Sequence, residues 1–498
     1  MTFAPLASSQ ENDLLSIGMK VQKYGLISNI FCIMIHCFVN LSCAIIKTIV
    51  EKARPRILGQ ELAASQITGL LWLKIKTRNY ISMEKTEATN KRSLLLKPQN
   101  YLGVKGLILF ITLMGMFIPL SIDLYLPAMP AMTQYFHTTE AMVNLTLIVF
   151  YIAFAAGIIV FGPLSDKYGR KPILVLGLIL YLIGSIACAL AASVQQLILF
   201  RVLQALGAGD VMAISTALVK DCFAGEMKTK VLAAVQVMSV LAPMLAPIAG
   251  AAILQVAGWR ETFWVLVVIG ILTLIVAFMF QETLSKEERY NGSLGGSLIR
   301  LLVVGKNAGF SSFLIIAATL SAPYMAYIAM SSYIYENYFA LNAQTYSYFF
   351  AANSAFAVLG PVIYIRSIGR LTSRVFLWCC FVVSLVSGVG VLFLGDHSPW
   401  LFLIAYLPFT LIGGAVRPFS TNILLDQQTE DIGSASSLIN AVQTILGSVG
   451  MALGSLAWNN MIHGLGIIMI LFVGIAVFAW AILLRSKVTV KGLTEGIV

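Results

Sequence analysis

From about Gly106 onward, apolar runs of 20 or more residues recur with only short polar breaks between them. A run of that length crosses a hydrocarbon core of about 30 Å as a single helix. Inside lipid, a helix or a closed barrel is the only backbone arrangement that satisfies its own hydrogen bonds. The runs lie near Gly106 to Leu126, Met142 to Phe161, Ile173 to Ala192, Leu197 to Val219, Val231 to Val256 and Thr262 to Phe280. A second set lies near Phe310 to Tyr333, Tyr346 to Ile365, Val375 to Leu394, Trp400 to Leu424, Ala435 to Trp458 and Gly464 to Leu484. Composition agrees: 59% of residues are hydrophobic and 11% charged, against about 45–50% and about 25% in soluble globular chains. So few charges cannot coat several soluble domains, which excludes a soluble enzyme, a nucleic-acid binder or a disordered scaffold as a reading of the whole chain. The expectation is an all-α membrane protein whose first partner is the lipid bilayer.

The polar intervals divide the chain. Gln281 to Lys306 is the longest of them and carries Lys286, Glu287, Glu288, Arg289 and a Gly/Ser stretch at Gly292 to Ser297. We therefore expect a six-helix half over 101–281, a cytoplasmic linker over 282–306, a second six-helix half over 307–485 and a cytoplasmic tail over 486–498. The excess of 33 Lys and Arg over 22 Asp and Glu reports topology, because short basic loops stay in the cytoplasm. Lys167, Arg170 and Lys171, then Lys220, Lys228 and Lys230, then the linker, then Arg366, Arg370 and Arg374, then Arg485, Lys487 and Lys491 fall in alternate intervals. The opposite intervals hold Arg260 and almost nothing else basic, so both ends of the twelve-helix unit are expected in the cytoplasm. Asp426 to Asp431 is acidic where a basic interval was due, but orientation follows Lys and Arg.

Residues 1–100 stand outside this plan. Leu26 to Ile46 is apolar enough for an extra span but has basic residues on both sides, and Met83 begins a polar, basic leader. Our expectation is that Met83 is the natural start or that the preceding segment is dispensable. The seven cysteines show no metal-ligand spacing, and Cys32, Cys37 and Cys43 share one apolar stretch, so all are read as free thiols. No metal site and no phosphate-cradling glycine loop is present in the sequence, and the histidines are assigned no ligand role.

Between the second and third runs stands Gly162-Pro-Leu-Ser-Asp166-Lys167-Tyr-Gly169-Arg170-Lys171. It resembles the cytoplasmic signature of the major facilitator superfamily, Gly-x-x-x-Asp-Arg/Lys-x-Gly-x-Arg-Lys, at every specified position. A fainter echo, Gly360-Pro361 followed by Arg370, occupies the equivalent place in the second half. The resemblance implies twelve helices in two six-helix halves around a central cavity, with Asp166 docking near the start of helix 11, around Gly433 to Ser437. Arg201-Val-Leu-Gln204-Ala-Leu-Gly207-Ala-Gly209 resembles the superfamily's fourth-helix motif. Pro243 and Ala246-Pro247-Ile248-Ala249-Gly250 resemble its antiporter motif Gly-Pro-x-x-Gly-Gly, with departures at Ala246 and Ala251. Prolines there bend a helix, and a kinked structural helix explains them as well as a hinge does.

Helix 1 reads Phe117-Ile-Pro119-Leu-Ser-Ile-Asp123-Leu-Tyr125-Leu-Pro127-Ala-Met-Pro130, which resembles the Bcr/CflA drug-resistance branch, named for bicyclomycin and chloramphenicol efflux. Arg417-Pro418-Phe-Ser-Thr-Asn422 and Gly433-Ser-Ala-Ser436-Ser437 resemble the same branch. Membership would imply a monomer in the bacterial inner membrane that exports small amphipathic compounds in exchange for protons by alternating access, is not an enzyme and needs no cofactor beyond the proton gradient. A metabolite or siderophore exporter, or a proton symporter, of the same fold is the alternative. Asp123 is then the main coupling candidate, since a carboxylate on a poorly solvated cavity can alternate between a proton and a cationic compound. Arg201 and Arg417 are charges within spans; Asp210, where the family has a small residue, is a second proton site or the partner of Arg201 or Arg417. Tyr324 and Tyr327 at i, i+3, with Gln236, Asn440 and Gln443, are candidates for the cavity wall, although ordinary interhelical hydrogen bonds account for any one of them.

Overall fold

A computed structural model of the chain describes residues 96–97, 99–290, 294–428 and 432–493. Twelve helices among them are long and apolar enough to cross a membrane, and we number them as spans 1 to 12. Spans 1 to 6 are Gly103–Tyr135, Glu140–Tyr168, Arg170–Ala189, Val194–Cys222, Met227–Val256 and Trp259–Met279. Spans 7 to 12 are Ala308–Tyr338, Ala343–Ser367, Ser373–Leu394, Pro399–Asp426, Gly433–Gly454 and Met461–Arg485. The expected all-α architecture with twelve spans is what the described residues adopt.

Local chemistry sets the helix starts. Thr139, Ser193, Asn307, Asn342, Thr372, Ser398 and Asn460 each accept a hydrogen bond from a backbone N–H of the first turn they precede. Each supplies one acceptor to donors that lipid cannot satisfy. Span 1 continues well past the expected end at Leu126. Pro127 lies in the first turn of the short 3-10 segment Leu126–Ala128 and Pro130 in the first turn of Met129–Tyr135. A proline in a first turn forfeits no hydrogen bond, so the chain bends there without ending. Pro243 and Pro247 likewise sit inside an unbroken span 5.

Within the first half, span 4 is the hub and packs on spans 2 and 3. Close approach is made by glycine: a Cβ at Gly157 would strike the Leu206 carbonyl, and one at Gly207 the backbone of Gly177 and Tyr181. Apolar lipid supplies no hydrophobic drive between helices, so backbone-to-backbone contact of this kind carries the packing. In the second half, span 11 packs on span 7 and span 9 on spans 10 and 12. The two halves meet through span 2 against span 11 and span 5 against span 8.

Two expectations about the polar segments change. The interval between the halves contains a further helix, Leu294–Gly305, with Ile299, Leu302 and Val303 exposed. The residues just before span 1 are fastened to the first half, not appended to it. Leu96 N donates to the Cys222 carbonyl at 2.9 Å, and Gln99 and Gln281 exchange two hydrogen bonds of 2.9 Å. The readings of Leu26 to Ile46, of Met83 as start and of Cys32, Cys37 and Cys43 lie outside the described residues. The four described cysteines, Cys188, Cys222, Cys379 and Cys380, are free.

Candidate functional site: a cavity between the halves

The signature turn is built into the first half and its linker. Gly169 adopts φ +109°, a left-handed value that an L side chain resists, and a Cβ there would strike the side chains of Glu282 and Arg289. Span 3 begins at the next residue. The Glu282 carboxylate accepts from the backbone N–H of Arg170 and of Lys171, each at 3.0 Å, which places a negative charge on the positive end of span 3. Arg170 donates from Nε to Asp221 at 2.9 Å and from Nη1 to Asp166 and to Ser165 Oγ. Tyr290 N donates to the Asp166 carbonyl at 3.0 Å, and Lys171 Nζ to the Phe278 carbonyl at 2.8 Å. Lys167 lies over the ring of Tyr168. Asp166 is thus taken up by Arg170 and does not dock on Gly433 to Ser437 in this conformation. The Asp166 side chain is half exposed, and both Gly162 and Gly433 face open space.

That openness is general on the linker face. Gln236 on span 5, Arg366 on span 8 and Asn440 on span 11 are exposed there. Hydrogen bonds across the halves gather at the opposite face. Thr133 Oγ1 and Tyr333 OH lie 3.1 Å apart, Asn337 Nδ2 donates to Glu140 Oε1 at 3.1 Å, and Ser347 Oγ donates to the Pro247 carbonyl at 2.9 Å. The halves form a cleft that opens at the linker face and is latched at the other.

Asp123 lies deep in this cleft. It is 5% exposed and accepts no hydrogen bond from any described residue. Tyr151 of span 2 and Tyr324 of span 7 stand within electrostatic range of it, so both halves face it. Arg417 of span 10 is exposed, and its charge is felt at Tyr324, which sets it on the inner space and not on the lipid side. Gln443 gives its backbone carbonyl to Ser321 at 2.8 Å, and Asn440 donates to the Ser436 carbonyl. Tyr327 is not on the cavity wall: it is 1% exposed and stacks on Tyr406 with ring centroids 4.2 Å apart, inside the second half. At i, i+3, Tyr324 and Tyr327 are neighbours on one helix, but the face turns far enough between them to bury the second.

Arg201 serves a different purpose from a cavity charge. It is 0% exposed, and its guanidinium donates to the Ser121 carbonyl at 2.9 Å, to Gln204 Oε1 at 2.7 Å and to Tyr125 OH at 3.2 Å. It also stands over the rings of Phe150 at 4.1 Å and Tyr125 at 4.6 Å. These contacts clamp span 1 to span 4 directly beside Asp123. Gln204 continues the network to Ser185 at 2.8 Å, and Ser121 to Tyr181 at 2.7 Å. Asp210, more than two turns along span 4 from Arg201, is 0% exposed with neither carboxylate oxygen hydrogen-bonded, and it lies against Gly177 of span 3. It partners neither Arg201 nor Arg417. On span 5, a Cβ at Gly250 would overlap the Leu124 carbonyl, so the antiporter-like motif presses span 5 on span 1 next to Asp123. Ala246 and Ala251, where that motif departs from its pattern, are buried at 1% and 0%.

Tyr151, Glu282 and Tyr333 were not singled out from sequence. Tyr151 sits inside an unbroken apolar run, and Tyr333 is one of several tyrosines near a span end. Glu282 had one usable signal, as the first acid after span 6.

Among the described residues no cluster of His, Cys, Asp or Glu could hold a metal ion. Residues 107–451 match the family model for the Major Facilitator Superfamily. The "Uncharacterized MFS-type transporter YdgK" of Bacillus subtilis (strain 168) is 27% identical over 336 residues, 66% of this chain and 84% of that one. The "Bicyclomycin resistance protein homolog" of Haemophilus influenzae is 24% identical over 345 residues, 69% of this chain and 87% of that one. Among solved structures, a D-xylose-proton symporter is similar with a TM-score of 0.58 and 16% identity, over 78% of this chain and 98% of that one.

Proposed function

Because the chain belongs to the major facilitator superfamily, and is thus a multi-pass membrane transporter of small molecules, we propose that it exports small amphipathic compounds in exchange for protons. The observation that carries this reading is Asp123: a carboxylate with no hydrogen-bond partner among the described residues, at the floor of a cleft faced by Tyr151, Tyr324 and Arg417. A carboxylate so placed either takes a proton or pairs with a cationic group, and it cannot do both. Protonation of Asp123 leaves the positive charge of Arg417 on the wall, which disfavours a bound cation. Loss of the proton restores the negative site for the next one. Tyrosine faces supply apolar contact without strict shape selection, which suits a range of compounds. The resistance named for the Haemophilus relative, together with the helix 1 pattern, supports drugs as cargo.

In this reading the chain works as a monomer in the bacterial inner membrane, with the linker and both ends of the twelve-span unit in the cytoplasm, as the alternation of Lys and Arg directs. The conformation described then opens to the cytoplasm. Alternating access follows if the halves rock about Asp123, which both of them face. The proton gradient is the energy source. A second reading, metabolite export or proton symport, is favoured by Ala246 and Ala251, which take the place of two small residues in the antiporter motif.

Everted membrane vesicles separate the two. Addition of a lipophilic cation to vesicles holding the wild type is expected to release protons from the lumen, and Asp123→Asn is expected to abolish the release. A broad drug panel that moves no protons, while a metabolite does, would reject drug antiport and leave the transporter assignment standing.

A further inference from the structure

The latch that closes the cleft contains a carboxyl group that the exchange at Asp123 does not use. Span 7 ends in a π-helical turn, Tyr333–Tyr338, and a wide turn of this kind at a helix end commonly marks a functional segment. Two of its residues make cross-half hydrogen bonds: Tyr333 to Thr133 of span 1, and Asn337 to Glu140 of span 2. Glu336 lies between them in sequence. It is half-buried; its Oε1 is sealed from solvent and accepts no hydrogen bond. Tyr333 of its own turn and Tyr346 of span 8 stand within electrostatic range of it; Glu140 of span 2 also acts on Tyr333, and the end of span 1, which carries Tyr135, packs on the same turn. None is a cation. Arg260, the basic residue at the start of span 6, is engaged with Tyr135 OH, the Ala191 carbonyl and the Trp259 ring.

We propose that Glu336 is a second proton-binding site, separate from Asp123, which holds a proton while the latch is closed and releases it to the outer solution as the latch opens. A carboxylate with one oxygen sealed from water and given no donor is the less stable form, whereas the protonated group is tolerated in the same place. Opening the latch parts Tyr333 from Thr133 and Asn337 from Glu140, and water then solvates the anion. The sign follows from linkage: the closed state binds one proton more than the open state at this site. Acid on the outer side therefore favours closure, and alkali favours opening. The latch thus responds to the same gradient that drives exchange, from the side on which protons are abundant. Tyr346 lies within electrostatic range of both Glu336 and Asp123, so the two sites share a neighbour but no contact. The proposal rests on the orientation and alternating access set out above, but not on Asp123 being the coupling group.

The test is a distance measurement by spin labels in detergent, on protein with its seven native cysteines replaced. Labels go on cysteines at Gln195 and Asn459, which are exposed at the latched face on the first and second half. On raising the pH from about 5 to about 8, the wild-type distribution is expected to gain a longer-distance population. Glu336→Gln, which mimics the protonated group, should stay short across the range. Asp123→Asn and Glu140→Gln should follow the wild type. If glutamine disturbs the turn, Glu336→Asp keeps the carboxyl and should restore the response with a displaced midpoint. A Glu336→Gln protein that still opens with alkali overturns the proposal, as does a wild-type distribution indifferent to pH. A response lost in Asp123→Asn and kept in Glu336→Gln assigns it to the central carboxylate and also overturns the proposal. Loss of drug-driven proton release by itself would bear on the exchange reading and leave this site unaffected.

Discussion

Substituting Gly162 with leucine separates two conformations by a clash that exists in only one of them. In the conformation described, a Cβ at Gly162 meets nothing within 4 Å. The bulk of a leucine therefore costs about nothing here, and its better helix propensity than glycine, about 0.8–1 kcal/mol, applies equally to every state that keeps span 2 helical. On the reading proposed above, closing the linker face brings the same stretch of span 2 against the start of span 11 near Gly433, which also faces open space. Forcing extra bulk into such a contact costs about 1–3 kcal/mol. At about 1.4 kcal/mol per factor of ten, the closed form loses about 5-fold to about 150-fold in population. The assay is alkylation of a cysteine at Asn440, exposed on the same face, read beside transport. Alkylation should reach its ceiling in Gly162→Leu, transport should fall by a factor in that range, and the thermal unfolding midpoint should not drop. Gly157→Leu is the control, since a Cβ there already strikes the Leu206 carbonyl and must lower the midpoint. The reasoning is refuted if Gly162→Leu transports and alkylates like the wild type, or if its midpoint falls as that of Gly157→Leu does.

Three further outcomes follow from the same contacts. Arg201→Lys keeps the charge but cannot reproduce the fork to Ser121, Gln204 and Tyr125; at about 1.5–3 kcal/mol per bond to a charged group, the unfolding midpoint in detergent should fall by several degrees, and an unchanged midpoint would remove the clamp. Gly177→Ala should destabilise the wild type because its Cβ would overlap the Asp210 carboxyl, yet be nearly neutral beside Asp210→Ala; a double-mutant cycle should give about 1–3 kcal/mol of coupling, and additivity would contradict the packing. The exposed pair Lys97–Glu288 ties the start of span 1 to the linker, and Lys97, with the Ser285 backbone N–H, holds the Glu288 carboxyl down at about 2. Its folded value lies below the ordinary 4.5, so the tie is complete above 4.5 and is lost only as pH falls through about 2. Proteolysis of the linker should be independent of pH between about 5 and about 8 and faster in Glu288→Gln.

The architecture was legible because lipid leaves little choice. Span number and the division at the linker follow from run length and from where the polar intervals fall, and neither depends on side-chain detail. Boundaries were less legible at span 1, whose expected end at Leu126 precedes two prolines that each occupy a first turn and let the chain run on. The site divides in the same way. Asp123 was legible because a carboxylate inside an apolar run needs a reason. Its companions were not: Tyr151 and Tyr327 look alike in sequence, and only helix rotation and the stacking on Tyr406 place one beside the cavity and the other in the core. Asp166 shows a further limit, since a sequence carries the contacts of every state of a transporter, and one conformation displays only some of them. Asp210 read as a second proton site or as the partner of Arg201 or Arg417; Arg201 instead gives its Nη1 and Nη2 to carbonyl, amide and hydroxyl oxygens, and Asp210 accepts from neither arginine.

The ties around the first half also bear on how the protein is made. Leu96 to Cys222, Gln99 to Gln281, Lys97 to Glu288 and Asp166 to Tyr290 all join residues within the first 290 positions. Arg201, Asp221 and Glu282 likewise find their partners there. A nascent chain therefore has every element of this network in hand before span 7 leaves the ribosome. The first six helices can make all of these bonds in the bilayer while the rest is still being translated.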